Sequence, residues 1–418
     1  MGEDMYFSDC IPKNRIYFRI IFQKNLWDSE KSSTFAANLI IIVMFKRDLH
    51  PIIDAQCYKG KAIILLGARQ VGKTTLLKQI IQEQSAEVQY LNCDEPQVVE
   101  ALTNRNLREL QLLVGKAKFI VIDEAQKVNN IGLTLKLIVD NLADVQIIAT
   151  GSSAFELRNR LNEPLTGRKF EYQMFPISTS EIHKSSGYIE VKRLLETRLI
   201  YGSYPDVLSN IGNAQSLLLS LSDSYLYKDI LTMDSLRKPD VLNKLLQALA
   251  FQVGSEVSYN ELAQTVGTDS KTVEKYIDLL EKCFIIFRLN GLSRNLRNEL
   301  KKAKKIYFYD NGVRNAVIQQ FAPVTLRNDM GQLWENFCIS ERIKRNHYMG
   351  HRCNMYFWRT TSQQEIDYIE ESDGQMSVFE MKWNPKKSNT KLPESFLNAY
   401  NIRETSVITP DNYLNWLA

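Results

Sequence analysis

The stretch Ile63-Ile64-Leu65-Leu66-Gly67-Ala68-Arg69-Gln70-Val71-Gly72-Lys73-Thr74-Thr75 admits few folds. A short apolar strand runs into a loop bounded by glycines, and a helix starts near Lys73. The spacing is G-x-x-x-x-G-K-T. Such a loop turns its backbone N–H groups inward around anionic oxygens, and glycine permits the tight curl. The helix then aims its positive end at the same point. Gly67, Ala68, Arg69, Gln70, Val71, Gly72, Lys73, Thr74 and Thr75 are therefore expected to hold the phosphates of ATP. Lys73 should reach the β- and γ-phosphates, and the Thr74 hydroxyl should bind Mg²⁺.

A second strand supports this reading. Lys118-Phe119-Ile120-Val121-Ile122-Asp123-Glu124 has four consecutive apolar residues ending in two carboxylates. That describes a buried parallel strand with acids at its C-terminal edge, where open α/β sheets bind ligands. Asp123 should hold Mg²⁺ through water, and Glu124 should orient or deprotonate the attacking water. A further strand, Asp144 to Thr150, leads into Gly151-Ser152-Ser153. There the hydroxyls of Ser152 and Ser153 sense the γ-phosphate, or the serine before Ala154, Ser153, is an ordinary helix cap. Arg168, in Leu165-Thr166-Gly167-Arg168, is in reach of phosphate from the same or a neighbouring subunit, or is a plain surface arginine.

The segments GARQVGKTTLLKQ, YLNCDEP, FIVIDEAQKV, IIATGSSAFEL, LTGRKFEYQMFPIS and YGSYPDVL occur in this order. As a set they resemble the AAA-type ATPases of bacteria and archaea that carry a C-terminal domain of unknown function. The resemblance runs from about Met44 to the C-terminus. It implies ATP hydrolysis with Mg²⁺, a sensor role for Ser152 or Ser153, and an arginine-finger role for Arg168. A homo-oligomer would follow if Arg168 acts across a subunit boundary. No residue matches the second sensor arginine of ring-forming AAA+ motors.

Downstream, residues 190–250 are Leu-rich with helical spacing. They form either a lid over the nucleotide or a connecting bundle. Ser258 and Glu261 make a capping box, Val266-Gly267-Thr268 turns the chain, and Lys271 to Lys282 is helical before the strand Cys283 to Leu289. Helix, turn, helix, strand is the pattern of a winged helix, a module that binds DNA or serves only for packing. Arg294, Arg297, Lys301, Lys302, Lys304 and Lys305 form the strongest local basic run, which either tracks phosphates of DNA or RNA or is a solvated face.

Near the C-terminus, Asp367 and Glu380 fall on strands joined by an Asp373-Gly374 turn, and Lys382 shares a face with Glu380. Glu335, on an upstream helix, would complete a metal shell, with Lys382 polarising water. This arrangement resembles the PD-(D/E)xK nuclease fold. The alternative is a retained fold with a partner-binding task, making the whole an ATP-driven regulatory switch. His347, His351 and Cys353 lack a full zinc set and are expected in a surface loop.

The expected architecture is α/β: a P-loop domain with a parallel sheet, a winged-helix segment, and a C-terminal restriction-endonuclease-like domain. Expected boundaries are a leader at 1–43 outside the fold, an ATPase domain at 44–210, a helical lid and winged-helix segment at 211–292, and a nuclease-like domain at 293–418. The natural product is expected to start at Met44. The apolar run Phe35 to Met44 is too short to span a bilayer. Six scattered cysteines without C-x-x-C suggest reduced thiols in a cytoplasmic protein. The net charge of +4 implies no global basic field, so any nucleic-acid contact must be local.

Overall fold

Two sheets carry the two groups of candidate residues. The structure is a computed structural model that describes residues 45–152, 165–231, 238–292, 304–360, 363–387 and 391–417. The expected leader, Ser153 and the basic residues Arg294, Arg297, Lys301 and Lys302 lie outside the described residues.

The first sheet contains β1 (Ala62–Leu66), β2 (Val88–Asn92), β3 (Phe119–Asp123), β4 (Gln146–Gly151) and β5 (Lys169–Gln173). Its order is β2-β3-β4-β1-β5, and every pairing is parallel. β1, β3 and β4 are buried along their whole length, as their continuous apolar runs require. β4 lies between the two motif-bearing strands, so the glycine loop and Asp123 face each other across one strand. Helix α1 (Lys73–Glu83) leaves the loop after Gly72, whose φ of 97° suits glycine. The expected helical stretch 95–115 is two helices, Pro96–Leu102 and Leu107–Val114. Asn106 and Glu109 form a capping box that restarts the second.

After β5 the chain enters helix α2 (Thr179–Ser186), capped by Ser178 and Glu181. Short helices and then a helix of 18 residues, Ala214–Leu231, lead to α3 (Pro239–Phe251), β6 (Glu256–Val257), α4 (Tyr259–Val266), α5 (Ser270–Lys282), β7 (Ile286–Gly291) and β8 (Lys304–Phe308). Both β6 and β7 pair antiparallel with β8. Helix α6 (Met330–Tyr348) precedes β9 (Asn354–Arg359), β10 (Glu365–Ser372), β11 (Gln375–Met381), α7 (Glu394–Leu397) and β12 (Ile402–Ile408). β9, β10 and β11 form an antiparallel meander, and β12 lies parallel to β11.

The second sheet runs β12-β11-β10-β9-β7-β8-β6. β7 joins β9 in parallel through Asn290↔Tyr356 and Gly291↔Phe357. The boundary expected at 292–293 therefore falls between paired strands of one continuous sheet. Local patterning cannot reveal a pairing over so long a separation.

Candidate functional site

The nucleotide loop is held from behind. The Met174 N–H donates to the Leu66 carbonyl at 2.7 Å, and a Cβ on Gly67 would lie 2.3 Å from the Met174 oxygen. Only glycine fits there. Arg47, buried, donates to the carbonyls of Val71 at 2.7 Å and Phe175 at 2.5 Å and pairs with Glu181 at 2.9 Å. Ala68 and Val71 are buried, Arg69 is half-buried, and Gln70 takes a left-handed φ of 58°. The Lys73 ammonium turns into the loop and donates to the carbonyls of Gly67 and Ala68, each at 2.9 Å.

Asp123 faces this loop and gathers hydroxyls. Thr74 donates to its Oδ2 at 2.9 Å, Tyr90 to the same oxygen at 2.5 Å, and Thr150 to Oδ1. Burial and then Asp123 raise the Tyr90 pKa, so the phenol stays a donor. The Thr150 hydroxyl also accepts the Glu124 N–H at 3.1 Å, which locks the two acids together. Glu124 itself adopts a left-handed φ of 54°. Its carboxylate meets the Gln126 amide and, at 3.2 Å, the Ser152 hydroxyl, while Gln126 also donates to Ser152 at 3.1 Å. Ser152 is thus engaged with Glu124, and Ser153, the alternative helix cap, lies outside the described residues.

The donor set fits a magnesium-bound triphosphate: a hydroxyl and a carboxylate, both hard oxygen ligands, beside a lysine and a helix N-terminus. Thr75 lines a cavity of about 150 Å³ beside the loop, with Phe45, Arg47, Leu76 and Pro205. Sequence reasoning missed Tyr90, Gln126, Thr150 and Arg47. The segment YGSYPDVL was visible, but the place of Pro205 beside the loop was not.

Arg168 stands elsewhere. Its carbonyl accepts the Ala62 N–H at 3.0 Å, where β1 begins, and its guanidinium pairs with Asp140 at 2.5 Å on the surface. The loop leaves the opposite end of β1, about 17 Å away at the rise of a parallel strand. That separation argues against the same-chain reach to phosphate, one of the three alternatives that the sequence left open.

The C-terminal candidates come together only in part: Asp367, Glu380 and Lys382 meet, but among the described residues Glu335 does not make a close set of three ligand atoms with Asp367 and Glu380, which corrects the shell expected from the sequence. Tyr368↔Phe379 in the β10–β11 register puts Asp367 beside Glu380, and a register shift between Ile366 and Ile369 marks a bulge around Asp367. Lys382 pairs with Glu380 at 2.6 Å and Asp367 at 3.4 Å. The Met381 N–H donates to Asp367 at 2.8 Å. Glu335 accepts from the Tyr307 hydroxyl at 2.6 Å and pairs with Lys305 at 3.2 Å. Lys305 also pairs with Glu365 at 2.6 Å. Burial pushes the Glu335 carboxyl up to about 7 despite Lys305, and burial with Asp367 pushes Glu380 to about 7. The adjacent carboxylates of Asp367 and Glu380 are hard oxygen ligands of the kind a divalent cation takes, without the third ligand expected from Glu335. Lys305 corrects the reading of the basic run, because this residue is 2% exposed and belongs to the carboxylate cluster.

His347 also departs from expectation. It lies in the last turn of α6, accepting the Gln173 N–H at 3.0 Å. Cys353 and His351 come near Glu370, but Arg342 grips that carboxylate at 2.9 and 2.8 Å. No described helix is long and apolar enough to cross a membrane.

Comparison with known proteins agrees with the first site. Residues 59–183 match the model of an AAA domain. Residues 192–323 and 330–414 each match a domain of unknown function (DUF8612 and DUF4143, respectively). An uncharacterized protein of Mycobacterium tuberculosis is 21% identical over 402 residues, covering 93% of this chain and 87% of that one. An uncharacterized protein of Methanocaldococcus jannaschii is 26% identical, covering 62% of this chain and 63% of that one. The replication factor C large subunit of Pyrobaculum aerophilum is 24% identical, covering 50% and 52%. Among solved structures, the Walker-type ATPase of Pyrococcus abyssi is 17% identical with a TM-score of 0.46, covering 66% of this chain and 96% of that one. Residues 59–183 thus match an AAA domain, and the regions after it match domains of unknown function.

Proposed function

We propose that this chain hydrolyses ATP with Mg²⁺ and couples its nucleotide state to a C-terminal unit that acts on or binds nucleic acid. The observation that carries the first half is the convergence of Lys73, Thr74, Asp123 and Glu124 at the C-terminal edge of one sheet. Lys73 would exchange its loop carbonyls for phosphate oxygens. Thr74 and Asp123 would hold the cation, which when bound neutralises charge building on the transferred group. Glu124, freed from Ser152 and Gln126, would orient the attacking water. Arg168, half-buried, paired with Asp140 and remote from its own loop, would exchange that partner to serve a neighbouring copy.

Helix α6 supports the coupling. Its Tyr348 hydroxyl accepts the Phe175 N–H at 3.1 Å, next to the Met174 carbonyl that backs Gly67. Glu335 lies near its other end, about 18–20 Å away along the helix axis. One helix therefore touches both sites. The order α3-β6-α4-α5-β7-β8 is consistent with a winged helix, and α6-β9-β10-β11-α7-β12 with a PD-(D/E)xK nuclease core.

A second reading is a switch whose C-terminal unit binds a partner without catalysis. The pairing of Lys305 and Lys382 with the carboxylates favours it, since ion pairs already satisfy that cluster. ATP consumption by the purified chain, with and without DNA or RNA, separates the two. Turnover stimulated by polynucleotide supports the first. Turnover indifferent to it supports the switch, and wild-type turnover equal to that of Lys73→Ala rejects both.

A further inference from the structure

Asp123 is gripped from both sides of its strand. β3 lies between β2 and β4, and each neighbour sends one hydroxyl to the carboxylate. Thr150 takes Oδ1 from β4, following the Ile122↔Ala149 register. Tyr90 takes Oδ2 from β2 at 2.5 Å. The residue opposite Asp123 on β2 is Asn92, yet its side-chain oxygen accepts the Asp94 N–H at 3.0 Å. The tyrosine two positions earlier spans the gap instead. β2 is an edge strand, so no further strand can supply a donor on that side.

A carboxylate offers about four lone-pair directions. Thr74, Thr150 and Tyr90 occupy three, which leaves one for a metal-bound water. We propose that Tyr90 is a positioning residue of the magnesium site, its hydroxyl fixing the face that Asp123 presents to the cation. This rests on the nucleotide reading above. Without the phenol, Oδ2 keeps only Thr74, a residue that must itself turn to the cation. The aspartate then samples orientations unsuited to a metal-bound water, and cation binding weakens while phosphate binding does not.

The test is Tyr90→Phe, which keeps the ring and removes the donor. ATP binding is measured by calorimetry in EDTA and across a series of free Mg²⁺ concentrations, with Mn²⁺ binding read by electron paramagnetic resonance. Tyr58→Phe, which removes a hydroxyl bound to Gln84 at 3.4 Å, is the control. The expected result is unchanged ATP affinity in EDTA for both variants. For Tyr90→Phe alone, half-saturating Mg²⁺ and Mn²⁺ should rise about three- to tenfold, the net weight of one ordinary hydrogen bond. Half-saturation within twofold of wild type, or an equal loss of affinity in EDTA, overturns the assignment. A wild-type chain that binds no ATP overturns the nucleotide reading itself, a distinguishable failure.

Discussion

Glu341 is the charge most deeply committed to joining the two halves of the molecule. Its carboxylate accepts from the N–H and hydroxyl of Thr179, each at 2.6 Å, at the start of α2. It also pairs with Arg198 at 3.0 Å and Lys344 at 2.7 Å, and all four residues are buried. Burial alone would push its carboxyl up, but Arg198 and Lys344 prevail and hold it near 2, against an ordinary 4.5. At about 1.4 kcal/mol for each factor of ten, that gap makes the charged form worth about 3 kcal/mol to the folded chain. Glu341→Gln keeps the shape and an acceptor for Thr179. It strands Arg198 and Lys344 without their counter-charge, a change that costs about 3–5 kcal/mol.

Urea unfolding at pH 7 should therefore show the variant less stable by about 3 kcal/mol. The folded-state pKa is depressed, so the contribution is complete above about pH 4.5 and fades as pH falls toward 2. The gap between wild type and variant should be equal at pH 8 and pH 6 and should narrow below pH 4.5. A gap below about 1 kcal/mol at pH 7, or one undiminished at pH 3, refutes the reasoning.

Two further outcomes are expected. Glu124→Gln should lower ATP turnover at least about 100-fold while leaving ATP affinity within about twofold, since its proposed role is to orient the attacking water and not to hold the nucleotide; unchanged turnover removes it from the mechanism. Asp367→Ala should abolish any Mg²⁺- or Mn²⁺-dependent cleavage of DNA or RNA by the purified chain. Equal behaviour of variant and wild type excludes cleavage at that cluster.

The sequence made the nucleotide loop and β3 readable because both signals are local: an apolar run, a glycine frame, and acids at a strand end. Asp367, Glu380 and Lys382 were readable for the same reason, since a hairpin turn fixes their register. Arg168 was not. Its motif says nothing about which edge of a parallel sheet it meets, and β5 begins where β1 begins. Tyr90 was hidden because its ring crosses to the neighbouring strand two positions out of register. Lys305 read as one more cation in a basic run, although β8 buries it among Glu335 and Glu365. The β7–β9 pairing left no local trace.

That pairing limits how such a chain can be recombined. A crossover between relatives at residue 292 would ask β7 to find a foreign β9 and leave β8 on the wrong side of the splice. Mismatched partners would bare two unsatisfied backbone edges, the usual seed of intermolecular β-association. A unit from α3 to the C-terminus would inherit its hydrogen-bond ladder whole, provided that the donor's Glu341 meets a matching Thr179 and Arg198.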